Sequence, residues 1–395
     1  MQTHKLKNKL TFTFQRKQSN TVTISISIKT GSNNENSTEK GISHLIEHVL
    51  FEGTKTRTQK QISEEIEKTG GELNAQTSNE LTTYFATIPK KHFKKTLIIL
   101  ADLIQNPLFI NKKIENERNI ILNEIKQIND QPRYYQWILF QKHLFKNHPS
   151  KHPIAGYPNT VKNITKQQVL NYYNKYYIPN NTTVSIVGDI SNPKSLIEKH
   201  FTFKPKPLKH IKPKQEANKQ NITSEKRNIQ HSYLVLGYKA PSRKSKESYA
   251  LDILKYYLGY GQSSRLFEEV REKLGLVYEI GTHYEANINY GVFAIYLSTD
   301  QKNIPKIKKI ILKELNNLQN LTNKQLKQTQ EQIQGHFLLK TEDNHFLAEV
   351  NSYFAILNQK QDYIKQIKAI TLKDIKNVAK KYLNDKYTLT ILQQD

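Results

Sequence analysis

Hydrophobic and polar residues alternate in short segments of the first half of the chain, and this alternation predicts strands with one face in a core and one face out. The clearest case is residues 21–29, where valine or isoleucine occupies every second position from Val22 to Ile28. Other segments have apolar residues every three or four positions, as amphipathic helices do. The order predicts an α+β domain, with strands at 10–15, 21–29, 72–77, 81–88 and 182–187 and helices at 90–105, 111–129, 133–145 and 165–177.

Residues 203–224 have a different composition. Pro205, Pro207 and Pro213 stand among Lys, Gln and Asn, with few large apolar residues. This composition is typical of an extended, solvated linker between domains. Strand and helix patterns begin again after it, with strands near 232–238, 277–285 and 291–298.

The two halves of the chain end in a similar way. Ile164-Thr165 opens a helical pattern that reaches Tyr176, and Ile370-Thr371 opens one that reaches Tyr382, 206 residues further on. A strand pattern follows each helix. Because two domains of one fold would both finish like this, the match indicates a repeat. We predict two similar α+β domains, each a largely antiparallel sheet covered by helices, at residues 1–203 and 227–395 and joined by an extended linker at 204–226.

Composition excludes several classes of protein. The 395 residues include no cysteine, so disulfides and thiolate metal sites are excluded. No apolar run approaches the roughly 18 residues of a membrane span, and the first residues lack the apolar core of a secretory signal. We therefore expect a soluble protein of the cytoplasm, or of an organelle stroma or matrix if the gene is organelle-encoded. The net charge of +25 comes mostly from scattered lysines without a dense basic tract, which disfavours specific nucleic-acid binding.

A candidate site lies between Gly41 and Thr54. Read as a helix, this segment places His44 and His48 one turn apart on one face with Glu47 beside them. Two neutral imidazoles at this spacing can bind one Zn²⁺, and the carboxylate can accept a proton from water. The order H-x-x-E-H is the inverse of the commoner zinc-protease motif.

The alternative reading is a solvated or structural helix face. It is weakened because the same helix carries apolar residues that would pack it against a sheet, so that its polar face needs a partner: Leu45, Ile46, Val49 and Leu50. Ser37 or Thr38 is the predicted cap of this helix.

A third ligand can come from the helix predicted at 111–129. One stripe of this helix carries isoleucines interrupted by Glu117 and Glu124. Carboxylates on a buried face are costly unless they are paired or bind a metal. The alternative is that Arg118, Lys126 or another cation neutralises them, although Arg118 follows Glu117 directly and so points off the stripe. Spacing alone does not separate the roles of the two carboxylates.

These motifs together resemble the pitrilysin/insulinase metallopeptidases. The resemblance covers essentially the whole chain, at the length of the small two-domain members, which include mitochondrial processing peptidase subunits and their bacterial relatives. It rests on His44–His48, Glu117–Glu124, Gly70–Thr77, Pro153–Gly156 and Tyr177–Asn181.

The resemblance implies a role for each residue of the first domain's site. His44, His48 and Glu124 would be the ligands of one Zn²⁺ per chain, and Glu47 would be the general base. Glu117 would support the site without binding the metal.

The resemblance also implies how a substrate binds. An extended peptide would add to the strand at 71–77, with Asn74 and Ala75 near the scissile bond. In the second domain, Arg271 and Tyr278 match a substrate-gripping pair, the tyrosine donating to the carbonyl oxygen. The ordinary alternatives are a surface ion pair for Arg271 and a strand residue packed on the sheet for Tyr278.

We therefore expect a zinc-dependent endopeptidase that acts on short or unfolded polypeptides. Because the gripping pair of a two-domain chain would most naturally complete the site of another chain, we expect a homodimer or a dimer with a related subunit. The alternative function is a non-catalytic member of the family that serves as a peptide-binding or scaffold subunit.

Overall fold

The computed structural model describes residues 1–210 and 212–395. Its β-strands and α-helices are, in chain order, β1 (Gln2–Lys5), β2 (Thr11–Arg16), β3 (Thr21–Ile28), α1 (Ile42–Leu50), α2 (Gln59–Glu67), β4 (Glu72–Thr77), β5 (Thr82–Pro89), α3 (Phe93–Gln105), α4 (Asn111–Asp130), α5 (Pro132–Leu144), α6 (Pro158–Asn163), α7 (Lys166–Tyr176), β6 (Thr182–Gly188), α8 (Pro193–His200), β7 (Asn221–Arg227), β8 (Ser232–Ala240), α9 (Glu247–Gly259), β9 (Glu279–Ala286), β10 (Gly291–Thr299), α10 (Ile304–Asn317), α11 (Asn323–Lys340), α12 (Asn344–Leu357), α13 (Tyr363–Ala369), α14 (Leu372–Tyr382) and β11 (Thr388–Gln394). A π-helical segment, Phe267–Glu272, precedes β9. No helix in the described part of the chain is both long and apolar enough to cross a membrane.

The chain forms two units, each with its own sheet. The first unit comprises Met1–Lys126, His152–Ile211 and Leu339–Gln361, and the second comprises Gln127–Lys151, Lys212–Leu338 and Asp362–Asp395. In the part of the chain described, the first sheet has the strand order β1-β2-β6-β3-β5-β4. Strands β2 and β6 are parallel, and the other neighbours are antiparallel.

The second sheet repeats this arrangement. Its order, β7-β11-β8-β10-β9, reproduces β2-β6-β3-β5-β4, with the corresponding pair β7 and β11 also parallel. Helices α7 and α14 start 206 residues apart, and both begin with a capping box, formed by Thr165 with Gln168 and by Thr371 with Asp374. The prediction of two similar α+β domains is confirmed.

The alternation in β3 has a meaning that the sequence did not reveal. Val22, Ile24, Ile26 and Ile28 are fully buried, as the pattern predicts, but the intervening polar residues are buried as well. Helix α12 packs against β3 and β6 on that second face. Hydrogen bonds match the polar surface: the Ser352 hydroxyl is 2.8 Å from the Ser27 hydroxyl.

In each sheet, the helix that covers this face comes from the other half of the sequence. Helix α12 lies on the first sheet, and α5, which holds the corresponding place in the first repeat, lies on the second sheet against β8 and β11. The units are therefore not contiguous in sequence, unlike the predicted domains 1–203 and 227–395. Residues 212–220 have no helix or strand, but β7 begins within the predicted linker 204–226.

Candidate metal centre

The first turn of helix α1 is stabilised by the carboxylate of Glu35, which lies six residues before the N-cap. Its N-cap is Gly41, with a left-handed φ of 98°. The two carboxylate oxygens of Glu35 accept hydrogen bonds from the backbone N–H groups of Gly41 and Ser43, both at 2.9 Å. The predicted cap, Ser37 or Thr38, is wrong, because Glu35 reaches the free N–H groups of the first turn. Burial raises the pKa of Glu35 to about 7, against hydrogen bonds that lower it.

The two sides of α1 have different environments. Leu45, Ile46, Val49 and Leu50 are at most 1% exposed and fix the helix in the core of the first unit. The opposite side presents the imidazoles, whose side chains are 18% exposed for His44 and 20% for His48. The helix is therefore held by its apolar side, while its polar side faces a partly open space.

Helix α4 brings the carboxylates to this space. Ile114 and Ile121 are buried, and Glu117 between them is 7% exposed. Arg118 turns away, donating from Nη1 to the carbonyl oxygens of Lys162 and Ile164 at 2.9 and 3.1 Å. The arginine is thus occupied elsewhere, and the neighbours of Glu117 and Glu124 are the two histidines.

His44, His48 and Glu124 converge on one point. Their candidate ligand atoms all lie within 4.8 Å of one another. The two Nε2 atoms are 3.2 Å apart, and each is 3.8 Å from an oxygen of Glu124. Two ligands of a tetrahedral zinc ion, each at about 2.0–2.1 Å, lie about 3.3 Å apart. The residues therefore fit a small tetrahedral ion and leave a fourth position for another ligand.

Glu117 lies next to one of the candidate ligands. Its Oε2 is 2.9 Å from Nδ1 of His48. A carboxylate in this place accepts the Nδ1 proton, which leaves the Nε2 lone pair of His48 directed at the site.

The two imidazoles differ electrostatically. Burial, and then the neighbouring His48, lowers the pKa of His44 to about 4, so His44 is neutral, the form that binds metal. Burial also opposes the charge of His48, but the hydrogen bond to Glu117 and the charge of Glu124 outweigh it and raise the pKa of His48.

Glu47 stands beside the ligands without joining them. Burial raises its pKa, and the Thr77 hydroxyl donates a 2.5 Å hydrogen bond to its Oε2. Thr77 was not among the residues singled out from the sequence. The available signal was the two-residue period of β4, which places Thr77 on the same face as Ala75 and Leu73.

The predicted substrate-binding residues occupy both units. Asn74 and Ala75 lie in β4, the edge strand of the first sheet, where the Ala75 N–H donates to Oδ1 of Asn74 at 2.8 Å. In the second unit, Arg271 lies in the π-helical segment with its guanidinium 4.9 Å from the Phe267 ring centre. Tyr278 is 73% exposed and is therefore not packed on the sheet. The roles of these four residues stay predictions.

Comparison with known proteins agrees with this architecture. Residues 11–156 match the family model described as insulinase (peptidase family M16), and residues 163–333 match the model described as the peptidase M16 inactive domain. The chain is 32% identical to a protein of Rickettsia felis named an uncharacterized zinc protease, over 98% of this chain and 96% of the relative. It is 29% identical to the uncharacterized zinc protease YmxG of Bacillus subtilis, over 92% and 90% of the two chains.

Solved structures share the fold over the whole length. A protease from Helicobacter pylori superposes with a TM-score of 0.93 at 24% identity, covering 99% of each chain. A structure from Pseudomonas fluorescens titled peptidase M16 inactive domain has a TM-score of 0.91 at 21% identity, covering 100% of this chain and 98% of the other. Together with the 32% identity to the Rickettsia protein over nearly the full length, the matches show that this chain belongs to the insulinase family of peptidases, family M16.

Proposed function

We propose that this protein is a zinc-dependent endopeptidase that hydrolyses peptide bonds in short or unfolded polypeptides. The observation that supports this most strongly is the convergence of His44, His48 and Glu124 on one point, with the carboxylate of Glu47 beside it. Zn²⁺ is the metal that suits two imidazoles and one carboxylate in tetrahedral geometry. The names of the relatives from Rickettsia felis and Bacillus subtilis agree with this choice.

The chemistry divides between the ion and the chain. Bound Zn²⁺ would polarise the scissile carbonyl and lower the pKa of the attacking water. Glu47 accepts the proton of that water and delivers it to the leaving amine. Thr77 holds one oxygen of Glu47 in place, and Glu117 keeps His48 in the tautomer that binds metal.

The strand next to Glu47 offers a place for the substrate. Strand β4 lies at the edge of the first sheet, and Thr77 at its end contacts Glu47. An extended peptide can pair with the free edge of β4 through main-chain hydrogen bonds, which would put its backbone beside the metal centre near Asn74 and Ala75. Because only an extended chain can pair in this way, short or unfolded polypeptides are the substrates expected.

The remaining proposals concern the second unit. Arg271 would bind a backbone carbonyl of the substrate, and the Tyr278 hydroxyl would donate to the carbonyl oxygen as negative charge develops. The exposure of Tyr278 leaves its ring available for such a contact. A homodimer, or a dimer with a related subunit, remains the proposed assembly.

The test is the variant Glu47→Gln. It should retain one zinc per chain and lose cleavage of a quenched peptide, because glutamine cannot accept the proton. Glu67→Gln, on the exposed end of α2, is the matched control and should cleave normally. Wild-type cleavage rates in Glu47→Gln would contradict the mechanism. A wild-type chain that binds zinc and peptide but cleaves none would instead favour the non-catalytic alternative.

A further inference from the structure

A pocket lies in the first unit, on the face of β4 opposite to the one that contacts Glu47. Successive side chains of a strand point to opposite faces. Thr77 contacts Glu47 of α1, whereas the Gln76 side-chain amide donates to the carboxylate of Glu349 on α12. Gln76 and Glu349 both line a pocket of about 280 Å³ whose wall includes Ser27, Thr83 and Tyr353. The metal centre and this pocket therefore lie on opposite faces of β4.

The charge of the pocket is unusual for this chain. In a protein with a net charge of +25, the lining of the pocket includes the carboxylate of Glu349 and, among the described residues, neither lysine nor arginine. Burial raises the pKa of Glu349, whose side chain is 32% exposed. Gln76 is a neutral partner, and the His345 imidazole, stacked on Phe85, has its Nε2 3.6 Å from Glu349. A partly desolvated carboxylate without a permanent cation gains most from a cationic ligand.

The size and position of the pocket suggest the ligand. Pockets for small molecules are roughly 300–1,000 Å³, so a volume of about 280 Å³ suits one side chain. A peptide paired with β4 would place alternate side chains on the α1 face and on the α12 face. Those on the α12 face would lie next to Gln76 and Glu349.

We propose that Glu349 determines substrate specificity by binding a lysine or arginine side chain of the peptide in this pocket. This inference rests on the proposed peptidase function and on pairing of the substrate with β4. The hydroxyl groups of Ser27 and Thr83 and the ring of Tyr353 would surround the aliphatic part of the bound side chain. Its cationic end would form a charge-assisted hydrogen bond with Glu349.

The test uses pairs of quenched peptides that differ at one position, scanned on both sides of the scissile bond, with arginine in one and citrulline in the other. Wild type should prefer arginine to citrulline by about tenfold in kcat/KM, as expected for one hydrogen bond to a charged group. The preference should occur at one substrate position, or at two positions that are two residues apart and so face the same side of β4. Glu349→Gln should lower the arginine-to-citrulline ratio of kcat/KM about tenfold. Glu349→Lys should reverse the charge preference, so that a peptide with glutamate at this position is cleaved faster than one with arginine. Glu342→Gln, whose side chain is 84% exposed just before α12, should leave the ratio unchanged.

The outcomes separate the two proposals. Cleavage by wild type without an arginine preference, or with a preference that survives in Glu349→Gln, overturns the role of Glu349 and leaves the peptidase function intact. If wild type cleaves no peptide, the peptidase function fails. Binding of the same fluorescent peptides to the zinc-loaded chain then decides, because arginine and citrulline peptides of equal affinity would overturn the role of Glu349 as well.

Discussion

In the second unit, the carboxylate of Asp252 on α9 is bound by the guanidinium of Arg243, with contacts of 2.5 and 3.1 Å. In the first unit, Glu117 and Glu124 on α4 face the imidazoles of α1 instead. Helices α1 and α9 occupy equivalent places along the chain, since α1 lies between β3 and β4 and α9 lies between the corresponding strands β8 and β9. Asp252 is thus paired with a permanent cation, whereas Glu117 and Glu124 face imidazoles, which can also bind metals.

This difference teaches that a repeated fold need not repeat a site. Both units have the same strand order and directions, so the backbone provides the same positions twice. In the second unit, Asp252 on α9 instead forms a closed ion pair with Arg243, whose guanidinium lies 5.0 Å from the ring centre of Tyr249. The first unit leaves three ligand atoms converging on a space open to solvent.

The largest effect on stability is expected when the closed ion pair is broken. Arg243→Met leaves Asp252, which is 6% exposed, without its cation and should cost about 3–5 kcal/mol in unfolding free energy. Denaturant unfolding measures this, and the zinc content should not change. The double variant Arg243→Met/Asp252→Leu should recover most of the loss, since apolar replacement of both partners is often neutral. A single variant as stable as wild type would contradict the comparison.

The next effect is a pH dependence at the start of α1. Folding raises the pKa of Glu35 from near 4.5 to about 7. The folded state therefore holds the proton more tightly, and wild type loses stability as the pH rises from about 4.5 to about 7. Glu35→Gln stays neutral, so its unfolding free energy relative to wild type should improve by up to about 3 kcal/mol between pH 5 and pH 8. A difference that is constant with pH, measured on metal-free protein, would show that Glu35 titrates normally.

A smaller effect is expected from the carboxylate behind His48. Glu117→Gln should weaken zinc binding about 10- to 100-fold, as other losses of a partner to a ligating histidine do. Competition with a chromophoric chelator measures the affinity. Glu115→Gln, on the exposed side of the same helix, is the control. Equal affinities of the two variants would mean that Glu117 does not orient His48.

The smallest effect should be the same in both units. Thr165→Ala and Thr371→Ala each remove the side chain that accepts the N–H of the third helical residue, Gln168 or Asp374. Each should cost about 1 kcal/mol. Unfolding measurements on the two single variants test how closely the repeats match, and a cost confined to one of them would limit the equivalence to the strand order.

The sequence predicted what local patterns determine. Most strands of the two sheets and the stripe of α4 follow from periodicity, and the helix starts at Thr165 and Thr371 follow from short motifs, whereas β1 and most of β7 were not predicted. The reach of Glu35 to Gly41 could not be predicted, because it depends on how a loop folds back over six residues. The packing of α12 on the first sheet and of α5 on the second sheet could not be predicted either. Their polar contacts, such as that of Ser352 with Ser27, join segments 325 residues apart, and no local pattern encodes them.

For the metal centre, the spacing of His44, Glu47 and His48 was informative because one helix carries all three. Glu124 required a second helix, and spacing did not separate it from Glu117. The structure distinguishes their surroundings, since Glu117 contacts Nδ1 of His48 whereas Glu124 faces the Nε2 atoms of both histidines.

The zinc content of three purified chains tests the central claim most directly. After metal removal, reloading with Zn²⁺ and desalting, native mass measurement should show one zinc on wild type and one on Arg243→Met, whose change lies in the second unit. The variant His44→Ala/His48→Ala should carry none, because only Glu124 of the three ligands would remain. Zinc retained by the double histidine variant, or a wild-type chain that binds none, would contradict the account.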